Sequence, residues 1–432
     1  MVNFLLGKFV GVQLGRSPNF QKISRNINWL LFGNAFRLGV GFFVTAWVAR
    51  YLGPEQFGIL SYAMALVSIF IFLGSLGLNE ILIRDFVQDV ANIKEMLATA
   101  FLMKVFGGIV TFAVAVLLAF ILNPTDTKTH WLVGVIAGGT ILQAFDVFEF
   151  YFQSQLQSKY AVSARNVACF LITVVKIYLI LFKAPVIAFA WVILGEAILG
   201  GFFLLFAYRA QPLSFHLLNS SFAMARRLIK DSWPIFLSGI ATMIYLRIDQ
   251  IMLHYFIGDG EVGIYAAAIK VVEFWGVLGI VFMSSVFPVI FGFKKTDEKL
   301  YWKKIRQIYR FLIFASIVIS LVMIMTAKPI MLLLFGASFQ RAANVLSIYI
   351  LAIVFMYLRG ATTYVLVSER LQRYEVYRSV IACLINIVLN FTLIPRFGIL
   401  GAAIAAIFSH SIPIFALGWF KETRGIMRIR EF

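Results

Sequence analysis

The chain consists of long runs of apolar residues separated by short polar segments. A run of about 20 apolar residues is long enough to cross the hydrocarbon core of a bilayer as an α-helix. Twelve such helices are predicted, at 27–50, 57–79, 97–122, 131–152, 161–182, 186–207, 233–256, 262–290, 308–327, 345–367, 375–395 and 399–420. The strands of a membrane barrel would instead alternate apolar and polar residues, and the sequence shows no such alternation. The pattern predicts an all-α integral membrane protein with about twelve transmembrane helices.

Basic residues are concentrated on one side of the predicted helices. The N-terminus, the loops that follow even-numbered helices and the C-terminus carry about four times as many Lys and Arg as the opposite loops. Because cytoplasmic loops collect Lys and Arg, both termini are predicted to be cytoplasmic. The longest loop on the opposite side, 123–130, is too short to form a catalytic domain.

The composition supports a location in the bilayer. Apolar residues make up 61% of the 432 residues and charged residues only 13%, against about 45–50% and about 25% in soluble domains. A soluble enzyme, a disordered protein and a disulfide scaffold are therefore excluded. The net charge of +18 would suggest nucleic acid in a soluble protein. Here the cytoplasmic loops account for it, and no nucleic-acid partner is expected.

The two halves of the chain resemble each other. LGPEQFGILSYA at 52–63 aligns with IGDGEVGIYAAA at 257–268, and KYAVSARNVACFLITVV at 159–175 aligns with RYEVYRSVIACLINIVL at 373–389. Six helices per half is an even number, so both halves enter the membrane from the same side. They are predicted to be parallel repeats related by an axis along the membrane normal, with the substrate path between them.

This repeat divides the chain into five segments. They are a cytoplasmic N-terminal segment (1–25), an N-lobe of helices 1–6 (26–208), a cytoplasmic linker (209–232), a C-lobe of helices 7–12 (233–420) and a cytoplasmic tail (421–432).

Charged residues lie within the predicted spans, where each costs at least about 2.5–3.5 kcal/mol at the bilayer centre. The bases are Arg37, Lys104, Arg165, Lys176, Arg247, Lys270 and Arg359, and the acids are Asp146, Glu149, Glu196, Asp249 and Glu273. Such groups either pair with one another or line a water-filled path, and the sequence leaves both alternatives open. The bases outnumber the acids, which favours an anionic substrate.

Helical spacing sorts some of these residues into faces. Asn34 and Arg37 share a polar face of the first helix. Lys270 and Glu273 are three residues apart and could neutralise each other, whereas Arg247 points away from the polar face of its own helix. No spacing typical of metal ligands, of a phosphate-binding loop or of a nucleophile elbow occurs, so no catalytic residue, cofactor or metal is expected.

Several segments are similar to those of bacterial polysaccharide flippases. ARYLGPEQFGILSYA follows a first span that bears Asn34 and Arg37, and SLGLNEILIRD (75–85), DSWPIFLSGIATMIYLRIDQIML (231–253) and PRFGILGAAIA (395–405) resemble later segments of that family. The resemblance extends from about residue 24 to residue 420. It is to the O-antigen and repeat-unit translocase family of the multidrug/oligosaccharidyl-lipid/polysaccharide exporter superfamily.

The resemblance implies two six-helix lobes that form a V around a central cavity. It implies that the protein moves an undecaprenyl-pyrophosphate-linked oligosaccharide, an O-antigen or exopolysaccharide repeat unit, from the inner to the outer leaflet of the bacterial cytoplasmic membrane. Coupling to an ion gradient is expected, as is a monomeric transport unit. The implied partners are membrane lipids and, in the same pathway, a polymerase and a chain-length regulator.

Residue roles follow from the chemistry of such a substrate. Lysine and arginine bind phosphate, and the planar fork of arginine binds two oxygens at once. We assign the pyrophosphate headgroup to Arg37, Lys270 and Arg359, with Arg247, Lys176 and Asn34 as further candidates. Asp146, Glu149, Asp249 and Glu273 are assigned as counter-charges or carriers of the coupling ion.

Two other functions compete with this one. A cation-coupled multidrug antiporter of the same superfamily would share the fold, but its cavity would be dominated by acids. A membrane-embedded polymerase or ligase of the same pathway would need larger loops on the outer side.

Overall fold

The computed structural model describes residues 18–211, 215–294, 297–419 and 422–423, and within them no β-strand occurs. Fifteen α-helices follow one another along these residues. They are α1 (Pro18–Ile69), α2 (Ile71–Ser75), α3 (Asn79–Gln88), α4 (Ile93–Leu122), α5 (Thr127–Ile141), α6 (Asp146–Ser154), α7 (Ser158–Leu181), α8 (Val186–Arg209), α9 (Phe222–Phe256), α10 (Asp259–Phe293), α11 (Glu298–Phe335), α12 (Ala342–Tyr349), α13 (Ala352–Ser368), α14 (Arg373–Phe397) and α15 (Ile399–Ala416). Short 3₁₀ helices lie at Val90–Asn92, Leu142–Phe145, Leu217–Asn219, Ala337–Phe339 and Leu417–Trp419.

Helix α1 contains a break at Gly53. A straight helix of its 52 residues would be about 78 Å long, more than twice the thickness of the hydrocarbon core. Gly53 has φ +73° and ψ 172°, and Pro54 follows it as the first residue of the next helical stretch. The break falls between the predicted spans 27–50 and 57–79, so α1 contains two helices of the predicted bundle.

Among the described residues, nine helices are long and apolar enough to cross a membrane. The number rises to 11 when two bent pairs, Gly33–Ile69 with Ile71–Gln88 and Ala342–Tyr349 with Ala352–Ser368, each count as one span. The first pair contains the Gly53 break, which accounts for the twelfth predicted helix. The helical membrane fold predicted from the sequence is therefore confirmed.

Some helix boundaries differ from the prediction. The span predicted at 131–152 is interrupted by the 3₁₀ turn Leu142–Phe145. The last predicted span, 399–420, ends as an α-helix at Ala416. Helix α9 begins at Phe222, inside the predicted linker 209–232, because the Ser221 hydroxyl caps it by accepting a hydrogen bond from the Met224 amide at 3.4 Å.

The predicted terminal segments lie largely outside the described residues. Helix α1 begins at Pro18, so only the last part of segment 1–25 is described. Of the tail 421–432, residues 422 and 423 are described.

The two copies of the repeat motif pack against each other. A Cβ atom on Gly58 would lie 1.8 Å from the Asp259 carbonyl oxygen, and one on Gly263 would lie 1.9 Å from the Pro54 carbonyl oxygen. The contact is reciprocal, because each glycine meets the backbone at the start of the other copy. Such reciprocity is expected of repeats related by a two-fold axis. We call this contact between residues 52–63 and 257–268 the hairpin seal.

Candidate functional site

The charged side chains within the membrane-spanning helices fall mainly into three clusters. One lies between the lobes, one in the N-lobe and one in the C-lobe. The ion-pair and hydrogen-bond partners of each charged side chain determine whether that side chain is available to a substrate.

The interlobe cluster consists of Arg247, Lys270 and Glu273. Glu273 Oε1 forms an ion pair with Arg247 Nη1 at 2.9 Å, and its Oε2 accepts a hydrogen bond from Lys270 Nζ at 3.0 Å. The cluster therefore contains two cations and one carboxylate, a surplus of one positive charge.

A cavity of about 130 Å³ lies beside this cluster. Its walls come from the second part of α1 in the N-lobe and from α9 and α10 in the C-lobe: Ser61, Met64, Ala65, Ser68, Arg247, Gln250, Ala266, Ile269 and Lys270. Polar groups from both lobes face this space, and both cations of the interlobe cluster line it.

Asp249 is adjacent in sequence to Gln250, which lines this cavity, but its own partners are outside the interlobe cluster. It is 2% exposed, and it accepts hydrogen bonds from the Tyr265 hydroxyl and, at 2.8 Å, from the Gln250 amide. Arg247, two residues earlier on α9, forms its ion pair with Glu273 instead.

The N-lobe cluster is centred on Arg165. Its Nε lies 3.0 Å from Glu149 Oε2, and its Nη2 contacts Asp146 Oδ1. Asp146 begins α6, after the 3₁₀ turn. Arg165 and Asp146 line a cavity of about 300 Å³.

Lys104 lines the same cavity and is 1% exposed. Its Nζ donates to Asn79 Oδ1 at 3.1 Å and lies 4.8 Å from the centre of the Phe150 ring. Both of these partners are uncharged groups of the N-lobe.

The C-lobe cluster encloses Arg359. The guanidinium contacts the Tyr245 hydroxyl, Glu375 Oε1 at 3.2 Å and the Ser379 hydroxyl at 3.0 Å. Arg378 contacts the other oxygen of the same carboxylate. Arg359, assigned to the headgroup from the sequence, is therefore held within the C-lobe.

Sequence reasoning missed Glu375 and Arg378. Arg378 lies on α14, and its side chain has 0% exposure. The available signal was the spacing of three residues between an acid and a base at the start of an apolar run.

Arg37 and Asn34 form a separate pair on α1. Arg37 Nη2 donates to Asn34 Oδ1 at 2.6 Å, and no carboxylate oxygen of the described residues lies within 4.0 Å of Arg37. One turn after Arg37 on α1, Gly41 faces open space, since a Cβ atom there would meet nothing within 4 Å. Lys176, another headgroup candidate, contacts Glu196 at 3.3 Å.

The structure thus brings together only part of the predicted headgroup site. Lys270 and Arg247 share one cavity, whereas Arg359, Lys176 and Arg37 have partners elsewhere. In the part of the chain that the structure describes, no group of three or more His, Cys, Asp or Glu side chains could hold a metal ion.

Two family models match the chain. The model described as "Polysaccharide biosynthesis protein" matches residues 23–294. The model described as "MatE" matches residues 234–392.

A curated relative extends this finding. The chain is 30% identical over 184 residues to "Probable flippase AglR" of Haloferax volcanii, an alignment that covers 41% of this chain and 38% of the relative. The chain thus spans less than half the length of the curated relatives it matches.

Two solved structures share the fold over nearly the whole chain. The inward-facing conformation of a multidrug resistance MATE family transporter of the MOP superfamily has a TM-score of 0.73 at 14% identity, covering 92% of this chain and 94% of that one. The lipid II flippase MurJ in an inward closed conformation has a TM-score of 0.66 at 14% identity, covering 90% and 89%. The chain therefore has the two-lobed fold expected from the repeat.

Proposed function

Since the chain belongs to the polysaccharide biosynthesis protein family, we propose that it is a flippase that moves a polyprenyl-pyrophosphate-linked oligosaccharide between the leaflets of a membrane. The name of AglR and the fold shared with MurJ support this proposal. In its finer form, the lipid is undecaprenyl, the sugar is an O-antigen or exopolysaccharide repeat unit, and the membrane is the bacterial cytoplasmic membrane.

The interlobe cluster is the observation that carries the proposal. Arg247 and Lys270 share one carboxylate, Glu273, beside a cavity that both lobes line. A diphosphate would supply the negative charge that this cluster lacks, and it would bind to an arginine and a lysine whose positions are already fixed. A neutral or cationic drug would gain nothing from the surplus positive charge.

The size of the cavity requires the lobes to move. A volume of about 130 Å³ accommodates about four water molecules at about 30 Å³ each. An oligosaccharide is far larger. The headgroup therefore enters when the lobes separate around this site, which corresponds to alternating access between two conformations.

Acidic residues near the bases are the candidates for ion coupling. We assign this role to Glu273 in the interlobe cluster and to Asp146 and Glu149 beside Arg165, with Asp249 as a further candidate. The two cations beside Glu273 favour its charged form, whereas Asp249 is buried with a hydroxyl and an amide as its hydrogen-bond partners, surroundings that favour a protonated carboxyl group. Coupling of this kind predicts that transport responds to a proton gradient.

The test is reconstitution into liposomes with a labelled polyprenyl-pyrophosphate oligosaccharide, whose arrival in the opposite leaflet is followed with and without a proton gradient. We expect protein-dependent arrival that falls at least tenfold in Lys270→Gln, because one of the two cations is lost. Lys128→Gln is the matched control, since Lys128 is exposed in the first turn of α5, at the end of that helix far from the N-lobe cluster.

Two results would contradict the proposal. One is the absence of protein-dependent arrival. The other is gradient-driven movement of a cationic dye by the same vesicles, which would favour the multidrug antiporter. The match of residues 234–392 to the MatE model makes that alternative worth testing in the same preparation.

A further inference from the structure

A histidine joins the two lobes beside the hairpin seal. His254 lies in the last turn of α9, in the C-lobe, and its ring stacks on Tyr62 of α1, in the N-lobe, with the ring centres 3.9 Å apart. Its Nε2 lies 3.0 Å from Oδ1 of Asn123, which follows α4 in the N-lobe. Its Nδ1 lies 2.6 Å from Oδ1 of Asp259 in the C-lobe. We call this arrangement of His254, Asp259, Asn123 and Tyr62 the histidine bridge.

The hydrogen-bond directions around the bridge depend on the proton of His254. Asn123 Nδ2 donates to the Tyr62 hydroxyl at 2.8 Å, so Asn123 presents its amide oxygen to His254. The carboxylate of Asp259 is an acceptor as well. Both ring nitrogens therefore face acceptors, and an imidazole donates from both nitrogens only when it is protonated.

We propose that the histidine bridge is a proton-binding site that holds the lobes together at this end of the molecule. With the proton bound, His254 donates across the interface to Asn123 and within its own lobe to Asp259. Its charge also favours the face of the Tyr62 ring. When the proton leaves, Nδ1 keeps its hydrogen bond to Asp259 and Nε2 becomes an acceptor that faces an amide oxygen. Deprotonation thus removes the bond between the lobes and leaves the bond within the C-lobe in place.

The other titratable groups near His254 do not replace its role. Tyr255 donates to the Leu122 carbonyl at 2.8 Å, and its hydroxyl stays neutral at physiological pH. His130 contacts the Asn123 carbonyl at 2.7 Å, so its bond lies within the N-lobe. Asp126 caps α5 by accepting from the Lys128 and Thr129 amides.

The position of the bridge links the protonation of His254 to transport. The side chains of His254 and Asp259 are 14% and 24% exposed, and in the hairpin seal beside them the backbones of the two lobes are in close contact at this end of the molecule. Alternating access, on which this inference rests, requires that end to open. Lowering the pH therefore stabilises the closed seal, because only the protonated ring donates a hydrogen bond across the interface to Asn123.

The test follows the opening of the seal directly and needs no substrate. Spin labels are placed on Lys128→Cys in the N-lobe and Arg396→Cys in the C-lobe, both exposed positions, after Cys169→Ala and Cys383→Ala. The distance distribution is measured in lipid nanodiscs from pH 5.5 to pH 8. We expect the ratio of open to closed populations to rise about tenfold or more with pH, the effect of losing one charge-assisted hydrogen bond.

Three variants identify the group responsible. In His254→Gln and in Asn123→Ala the ratio is expected to change less than twofold across this pH range. His130→Gln, the matched control, removes a neighbouring imidazole and should keep the full pH dependence. A pH-independent distance in the native bridge would overturn the proposal, as would a pH dependence that disappears in His130→Gln and persists in His254→Gln. Because the distance is read without transport, loss of flipping with an intact pH response would contradict the proposed function alone.

Discussion

Arg165 shows how one residue can determine whether a cluster is stable in the membrane. It forms ion pairs with both Asp146 and Glu149. In Arg165→Met the two carboxylates would lose that partner in a low-dielectric environment, a change that costs about 3–5 kcal/mol for buried pairs. Since these side chains are about one-fifth to one-quarter exposed, we expect about half of that, measured as a lower free energy of unfolding in detergent.

The control for this prediction is Lys159→Met, which removes an exposed base close to Arg165 along α7. It should leave the free energy of unfolding within about 0.5 kcal/mol of the native value. In Asp146→Asn, Arg165 keeps Glu149, and the loss should be smaller than in Arg165→Met. Equal stability of Arg165→Met and the native protein would show that water, and not Arg165, neutralises the two carboxylates.

At the scale of helices, the sequence predicted those features that depend on residues close together in the chain, such as apolar runs and glycine turns. The repeated motif predicted that residues 52–63 and 257–268 are equivalent, and Gly53 and Gly258 both have positive φ at the start of a helical stretch. Their left-handed backbone is a local property of glycine, which a sequence reports directly. The reciprocal packing of these two motifs follows from the symmetry that the repeat implies.

Other features depend on contacts between distant segments, and the sequence did not reveal them. The 3₁₀ turn Leu142–Phe145 contains neither proline nor glycine, so no local signal distinguishes it from an α-helix. Lys270 and Glu273 were recognised as a pair, but their third member, Arg247, comes from another helix. Spacing along one helix cannot report such a partner.

The hairpin seal leads to a prediction about helix packing. In Gly58→Ala the new methyl group would meet the Asp259 carbonyl oxygen at 1.8 Å, so the two backbones must move apart. We expect a loss of about 1–3 kcal/mol in the free energy of unfolding, typical of overpacking, and a larger open population in the distance measurement. Gly263→Ala should have the same effect, since its contact is the reciprocal one.

Gly134→Ala is the matched control for the seal. A Cβ atom there would meet nothing within 4 Å, and alanine is favoured over glycine in a helix by roughly 0.5–1 kcal/mol. This variant should be as stable as the native protein or slightly more stable. If Gly58→Ala had the same free energy of unfolding as Gly134→Ala, the hairpin seal would be loose enough to accept a methyl group without moving.

For the whole molecule, helix α9 is the element that connects the lobes. Its first turns pack in the N-lobe, where Met224 and Leu228 belong to a buried cluster with N-lobe side chains. Further along, Ser238 and Thr242 contact Ser379 of the C-lobe. Pro234 lies between these two parts, and a proline inside a helix removes one backbone hydrogen bond. We infer that α9 bends near Pro234 when the lobes move.

Three ion pairs hold the first part of α9 to the N-lobe, and one of them joins Arg227 Nη2 to Oδ2 of the buried Asp85 at 3.8 Å. The other two are exposed. Arg84 Nη2 lies 2.7 Å from Asp231 Oδ2, and Arg227 Nη1 lies 3.2 Å from Asp89 Oδ2. The Asn92 amide and the Arg227 guanidinium lower the pKa of Asp89 from its usual value, so this carboxylate is charged at neutral pH. These exposed pairs are individually weak, and they indicate which surfaces stay together during transport.

A bend near Pro234 predicts opposite effects for two cross-links. Joining Arg84→Cys to Asp231→Cys with a short bis-maleimide links two surfaces that move together, so the transport rate should stay within about twofold of the uncross-linked protein. Joining Gln56→Cys to Gln340→Cys, next to Phe57 and Phe339, whose rings lie 6.1 Å apart, fastens the seal end and should reduce transport at least tenfold. Both are made after replacing the native cysteines, and the reagent's monofunctional analogue controls for modification alone. If the first cross-link also stopped transport, the start of α9 would have to move with the C-lobe, and the bend would lie before Phe222 and not at Pro234.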